Sequence, residues 1–425
     1  MISAMSSHAR LPLRVAAWLI AVMPWLLSSG ATSPLAAAGA TPPRVDRAFL
    51  ARHWKTPIPP QGRAPAGWSA LERSLVPDAC GSCHPLQFSD WSGGIHARSM
   101  GPGIAGQLAE MIKTDPASAR SCPACHAPLA EQSPTLIGPR GVVTNPDFDP
   151  ALRERGVVCA SCHVRNYQRF GPPRRDGSLA PRAPRATLPH GGVTRTPTFL
   201  ASEFCASCHQ FAPDGFAVNG KLVQNTYEEW KASPAAREGQ QCQDCHMPDR
   251  RHLWRGIHDP DMVKSGVGVD LSVAPRAADA DLTATLTITS VRVGHYFPTY
   301  VTPRVVARLS LVDSADAVVA GSVEEKAIGR EVTLDLTREI ADTRIPPGGR
   351  VELAYRRRLD GNTPVRLRAS VTVYPDHFYT GFFEAILAGG AGAGEAQIRE
   401  ALAETRRSPF VIFERDVPVV PGDVQ

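Results

Sequence analysis

Five times between residues 80 and 246 the chain places two cysteines two residues apart and follows them at once with a histidine. The copies are Cys80-Gly-Ser-Cys83-His84, Cys122-Pro-Ala-Cys125-His126, Cys159-Ala-Ser-Cys162-His163, Cys205-Ala-Ser-Cys208-His209 and Cys242-Gln-Asp-Cys245-His246. A single Cys-x-x-Cys would suit a thioredoxin-like couple or half of a zinc site, but five copies use all ten cysteines and leave no thiol for a structural disulfide. The chemistry of c-type attachment explains the pattern: each sulfur adds to one haem vinyl group, the two-residue gap matches the vinyl separation, and the next residue is set beneath the iron as its proximal ligand. Zinc explains less, because a tetrahedral site takes four ligands, each triplet supplies three, and an odd number of cysteine pairs cannot be matched two by two. A disulfide framework accounts for ten cysteines but not for five histidines in register. The sequence therefore predicts five covalently bound haem c groups, with His84, His126, His163, His209 and His246 on the irons.

The N-terminus predicts the matching compartment. Arg10 and Arg14 precede an apolar run from Val15 to Leu27, and Ala38-Gly39-Ala40 offers small residues for cleavage, so residues 1–40 read as a secretory signal peptide. The alternative is an uncleaved anchor, against which Pro24 and the shortness of the run both count. Thioether attachment takes place outside the cytoplasm, which gives the same expectation: a periplasmic protein, associated with a membrane only through a partner or an uncleaved signal. The formal charge of +5 falls by two when Arg10 and Arg14 leave. Each oxidised haem, with two propionates, adds about one negative charge, so the holo-protein is near neutral and nucleic-acid binding has no support. An arginine group (Arg165, Arg169, Arg174, Arg175, Arg182, Arg185, Arg195) reads either as a solvated loop or as a set of forks for haem propionates.

The chain divides by texture. An N-terminal arm (41–76) precedes a pentahaem region (77–263), whose motifs lie so close together that the haems must supply much of its apolar interior. Asp115-Pro116 reads as a helix start before Cys122, and Thr226-Tyr-Glu-Glu229 as a capping box before Cys242. Trp91, Trp230 and Trp254 read as haem packing or gap filling. From 264 to 376 a period of two takes over. Leu282, Ala284, Leu286 and Ile288 alternate with threonines, and similar runs recur at Val305–Leu311, Val332–Leu336, Val351–Tyr355 and Val365–Val373. Together they predict an antiparallel β-sandwich of about seven strands. A C-terminal segment (377–425) carries two expected helices, near Phe382–Leu387 and Glu395–Thr405. The fold class is thus α+β: a helical, loop-rich multihaem region, then antiparallel sheets and short C-terminal helices.

Function turns on the other face of each iron. A second histidine makes a six-coordinate centre suited to electron transfer, whereas an open face admits substrate. Of thirteen histidines, five are proximal and His8 lies in the leader, which leaves His53, His96, His190, His252, His258, His295 and His377. The expected distal set is His96, His190, His252, His258 and His295. His252 and His258 are six apart and would serve different haems, and His295 would reach over from the first strong strand. His377 competes with it, and His53 ranks last. Met100, Met111, Met247 and Met262 read as packing residues.

The runs Ser202-Glu-Phe-Cys-Ala-Ser-Cys-His-Gln210, Asn225-Thr-Tyr-Glu-Glu-Trp230 and Gln241-Cys-Gln-Asp-Cys-His-Met-Pro248 resemble those of multihaem c-type cytochromes. The relatives in question are the tetrahaem electron carriers of nitrifying bacteria and, more distantly, hydroxylamine oxidoreductase. Gly294-His-Tyr-Phe-Pro-Thr299 resembles a Gly-His-x-x-Pro-Thr-Gly signature that opens the β-region in such proteins, with Tyr300 where glycine is usual. The resemblance implies electron transfer between a donor and an acceptor protein along closely packed, mostly bis-histidine haems. The rival is a redox enzyme acting on a small nitrogen or sulfur oxyanion at one open haem, with Tyr167, Tyr227, Tyr296, Tyr379 or a loop arginine as pocket groups; no motif carries lysine in place of the proximal histidine. A third reading makes the β-region a docking module, which is compatible with either.

Overall fold

The computed structural model describes residues 43–138, 141–274, 281–359 and 365–419. The expected signal peptide, 1–40, lies outside them. Among the described residues no helix is long and apolar enough to cross a membrane.

The haem-motif region is built from helices of one to four turns. Proline starts many of them (Pro77, Pro85, Pro102, Pro116, Pro123, Pro150), where its missing N–H and fixed φ cost nothing. Asp115 caps its helix as expected, accepting from Ser118 N at 3.2 Å. The capping box expected at Thr226 does not form: Asn225 is the N-cap, and Glu229 turns away to accept from Tyr296 N and Thr299 Oγ1. Apolar clusters in this region are small, such as Ile58, Trp91, Leu129, Leu152, Val158 and Val164. The N-terminal arm is tied into it, with Asp46 capping helix Arg47–His53 and Ile58 bridging to Leu129.

Among the described residues the second half holds eight strands in two antiparallel sheets. They are β1 Val267–Val273, β2 Leu282–Ser290, β3 Arg304–Val312, β4 Glu324–Val332, β5 Glu339–Asp342, β6 Arg350–Arg357, β7 Val365–Tyr374 and β8 Phe410–Val419. One sheet runs β5-β4-β3-β7-β8 and the other β6-β2-β1. Strict alternation in β2 and β7 sends Leu286, Ile288, Leu367 and Val371 inward, where they meet Leu309 and Leu353 in one large cluster. Each such fully buried aliphatic side chain contributes about 1.5–3 kcal/mol.

Three elements differ from expectation. Residues 333–336 form a turn, not a strand, because the Asp335 carboxylate accepts from Thr333 Oγ1 and from Thr337 N and Oγ1; the strand lies before it, ending at Val332. β1 stands where no alternation was read. The C-terminal segment is helical only in part: after helices His377–Gly389 and Glu395–Arg407, β8 returns to pair with β7, Leu367 opposite Val417. Those two helices pack on each other through Phe383, Ile398 and Leu402 and on helix Pro102–Thr114. The close approach needs Gly106, where an added Cβ would lie 2.9 Å from Ile398.

Candidate haem sites

Each motif coils into a short helical turn. The helices Pro123–His126, Cys159–His163, Glu203–His209 and Cys242–His246 all end on the motif histidine. Residues three and four apart share one helix face, so both cysteines and the histidine of a motif point the same way. One face can thus present two sulfurs and an imidazole to a single macrocycle.

The second ring nitrogen of these histidines is anchored. Nδ1 lies 2.7 Å from Ser99 O in His126, 2.8 Å from Phe170 O in His163, 2.8 Å from Tyr300 Oη in His209 and 2.6 Å from Arg255 O in His246. A hydrogen bond at Nδ1 fixes tautomer and ring orientation and leaves Nε2 as the ligating atom. Burial pushes His163 and His209 down to about 4, which keeps both rings in the neutral form that a metal binds.

The distal candidates test whether an iron fits. Two imidazole nitrogens about 2.0–2.1 Å from one metal ion, with about 1.1 Å from each nitrogen to its ring centre, put the centres roughly 6.2–6.4 Å apart. The centres of His96 and His209 are 6.3 Å apart, those of His246 and His295 6.3 Å, and those of His163 and His252 6.1 Å. Three motif histidines thus face three expected distal residues across one iron's width. The His252 ring is largely buried, and burial lowers its pKa toward the neutral form that a metal binds.

Neighbouring groups hold these distal rings. His295 Nδ1 meets Tyr296 O at 2.8 Å. The Asp90 carboxylate takes a two-pronged bond from Arg251 (2.6 and 2.7 Å) and a third from His252 N (3.0 Å); the Arg251 guanidinium holds that carboxyl below its usual range. Trp254 stands edge-on to both His96 and His252, at 4.8 and 5.1 Å, which puts an indole between the two imidazoles. Gly294 lets the His295 loop close on the helix before motif 5: an added Cβ would meet Ala235 Cβ at 3.3 Å and Trp230 Cδ1 at 3.4 Å.

The other expected ligands lie differently. His190 sits at φ 43° with its N–H on Glu72 Oε1 at 2.7 Å, and after burial and Arg169 the charge of His84 is among the causes that lower its pKa, so motif 1 is its neighbour. His258 departs from expectation. It is exposed, and its Nε2 lies 2.9 Å from Asp376 Oδ1, an ion-pair partner on the sheet side. His377 is exposed at the start of its helix. His53 is buried, but its Nε2 bonds to Cys162 O at 2.8 Å inside a nest of Phe49, Phe170, Phe199 and Phe204. Among the described residues no histidine ring stacks on His126. Its motif is flanked instead by Met100, Leu108, Met111 and Ala119, with Tyr379 near Cys122.

The arginine group acts mostly on the backbone. Arg165 donates to His53 O, Val164 O and Ser161 O, Arg169 to Glu72 O and Tyr167 O, and Arg195 to Pro172 O. These side chains hold the long loop around motif 3. Sequence reasoning missed Asp90 and Arg251, for which a charged pair far apart in sequence gave no signal.

Thiols stand here for the thioether sulfurs of attached haem. Cys80 and Cys159, Cys125 and Cys208, and Cys205 and Cys242 lie near enough for each thiol to shift the pKa of the other. Motif 1 therefore abuts motif 3, motif 2 abuts motif 4, and motif 4 abuts motif 5.

Known proteins share parts of this arrangement. Residues 79–164, which span the first three motifs, match the family model described as cytochrome c554 and c-prime. The crystal structure of a penta-heme cytochrome c552 from Thermochromatium tepidum superposes with a TM-score of 0.60 at 18% identity, covering 83% of this chain and 100% of that one. That likeness establishes a common fold. No curated protein matches the chain. Residues 79–164 thus form a cytochrome c554-type stretch, and the five Cys-x-x-Cys-His turns with their anchored imidazoles have the form of covalent haem c sites.

Proposed function

We propose that the chain is a periplasmic pentahaem electron carrier, related to the tetrahaem carriers of nitrifying bacteria and more distantly to hydroxylamine oxidoreductase. The observation that carries this reading is the set of three imidazole pairs at 6.1–6.3 Å, since paired imidazoles leave no iron position for substrate. Haem supplies a one-electron iron couple; the chain's residues space the couples, hold them dry and fix both axial rings. The sulfur neighbours support a path from motif 1 through motif 3 to motif 4, with branches to motifs 2 and 5. The step from 3 to 4 would run past Cys162, which neighbours both Cys205 and Cys208. Cys83 and Cys245 are exposed while the other cysteines are half-buried, so motifs 1 and 5 are the ends at which donor and acceptor proteins would dock.

One observation favours a second reading at one centre. His126 faces no imidazole among the described residues, and Tyr379 stands close to its motif. An open haem there would bind a small nitrogen or sulfur oxyanion, with the phenol as a pocket group. Low-temperature EPR of the oxidised protein, followed by carbon monoxide titration of the reduced protein, separates the two. Low-spin signals throughout and no gas binding support the carrier; one high-spin centre that binds gas stoichiometrically assigns motif 2 as an open site.

A further inference from the structure

Among the four anchored proximal histidines, His209 differs in its anchor. His126, His163 and His246 each lean on a backbone carbonyl, whereas His209 Nδ1 lies 2.8 Å from the phenol oxygen of Tyr300, a residue of the sheet-side loop. With iron on Nε2, the Nδ1–H donates and the phenol accepts. Gln224 Nε2 donates to the same oxygen at 3.3 Å while also holding Cys208 O at 3.1 Å. The neighbouring Thr299 holds the same loop, its Oγ1 2.8 Å from Thr226 Oγ1 and donating to Glu229 Oε2 at 3.1 Å.

The backbone adds a second observation. Tyr300 sits at φ 68°, a left-handed conformation disfavoured for any residue with a Cβ. Such outliers persist where the surroundings use them. Here the turn aims the phenol back across the boundary at the motif 4 imidazole, which a residue on ordinary β backbone at that place would not do.

We propose that Tyr300 is a positioning residue for the motif 4 haem, setting its reduction potential through His209. The inference rests on the multihaem reading above. An acceptor at Nδ1 gives the imidazole partial imidazolate character and stabilises ferric iron; a phenol oxygen accepts more weakly than an amide carbonyl, so this centre is tuned by a side chain that sequence change can alter. Removing the acceptor should favour the reduced state.

The test uses the full haem-loaded protein and two variants, Tyr300→Phe and Tyr300→Gly. Peptide mass spectrometry first counts the haems, and potentiometric titration with optical and EPR detection then resolves each centre. Both variants are expected to keep every haem that the wild type carries. In both, the reduction equilibrium of one centre should shift about tenfold toward the reduced form, ~59 mV upward for a one-electron couple, with a change in that centre's low-spin g values. Glycine relieves the left-handed backbone, so agreement between the variants excludes misfolding as the cause. Titrations that superimpose on the wild type, with all haems present, overturn the proposal and leave the carrier reading intact. Absence of haem on the Cys205 peptide of the wild type overturns both.

Discussion

Replacing Arg330 by methionine tests how the sheets are held to the haem-motif region. The side chain is only 2% exposed and reaches from β4 into the hairpin at residues 217–222. Its Nε meets Glu339 Oε2 at 2.8 Å, Nη1 meets Leu222 O at 2.8 Å, and Nη2 meets Val218 O at 2.8 Å and Lys221 O at 3.0 Å. Breaking a buried ion pair from one side costs about 3–5 kcal/mol. Glu339 would keep Lys221 at 2.8 Å and Asn219 at 3.2 Å, which favours the low end of that range. The three carbonyls that lose their donor, at about 1 kcal/mol each, are counted within that range, and water restores part of the loss at the exposed Lys221. Methionine fills most of the apolar volume, so the cavity contribution is small. We expect a loss of about 3–4 kcal/mol, equivalent to a Tm lower by roughly 10 °C at about 2–4 °C per kcal/mol. Thermal unfolding followed by far-UV dichroism gives the Tm, and on the proposed pairing of His246 with His295 the Soret band reports the ligand that the sheet side would supply to the motif 5 haem. The Soret change should come at or below the temperature of the dichroism change. A Tm within about 2 °C of the wild type would refute the reasoning, since the arginine would then contribute under about 1 kcal/mol.

Other outcomes follow from the same geometry. Substituting His295→Ala should convert one low-spin centre to a high-spin centre that binds carbon monoxide, read by EPR and gas titration, while the remaining haems keep their spectra. The ring planes of His246 and His295 are 8° apart, those of His163 and His252 37° and those of His96 and His209 65°, so single-haem EPR should run from rhombic to strongly axial in that order. Acid should loosen the contact between the halves. Burial would raise Asp342 and Glu339, but hydrogen bonds from Arg344 and Lys221 on the first, and from Lys221 and Arg330 on the second, outweigh it and hold both carboxyls below their usual range. Groups depressed in the folded state stabilise it fully above the unfolded pKa, so this contribution is present above about pH 4 and is lost as pH falls further. An acid titration of the Soret band should show loss of the sixth ligand in that window, and Asp342→Asn should move the loss to higher pH.

The motifs were legible because their chemistry is local: five residues contain both sulfurs and the proximal imidazole. His96, His252 and His295 stand out by subtraction, since few histidines remain once the motifs are counted, and their rings lie 6.1–6.3 Å from motif histidines. Which ring faces which was not legible, because His96 reaches motif 4 and His252 motif 3 only through the packing of distant helices. His258 shows the limit of subtraction: a carboxylate on the sheet side holds it as well as an iron would. Glu229 was misread for a similar reason. Its spacing from Thr226 suits a local cap, yet Arg344, Tyr296 N and Thr299 compete for it from across the chain and prevail. In the sheets, β2 and β7 are buried on one face and alternate cleanly, while β8 lies at a sheet edge and carries Glu414, Arg415 and Asp416, which erase the pattern.

The loop at residues 294–300 explains why the chain carries sheets at all. The haem-motif region has only small side-chain clusters, so much of its cohesion must come from groups attached after synthesis, whereas the sheets close over a large aliphatic cluster of their own. A ligand borne on the sheets is therefore fixed independently of the haem it serves. From that loop His295 faces motif 5, Tyr300 faces the proximal ring of motif 4, and Tyr296 stacks under Arg344, whose guanidinium lies 4.9 Å from the ring and pairs with Glu229 at 2.8 Å. One rigid turn thus reads two adjacent centres. Displacing it should disturb motifs 4 and 5 together, and leave the pairing of His163 with His252 unchanged.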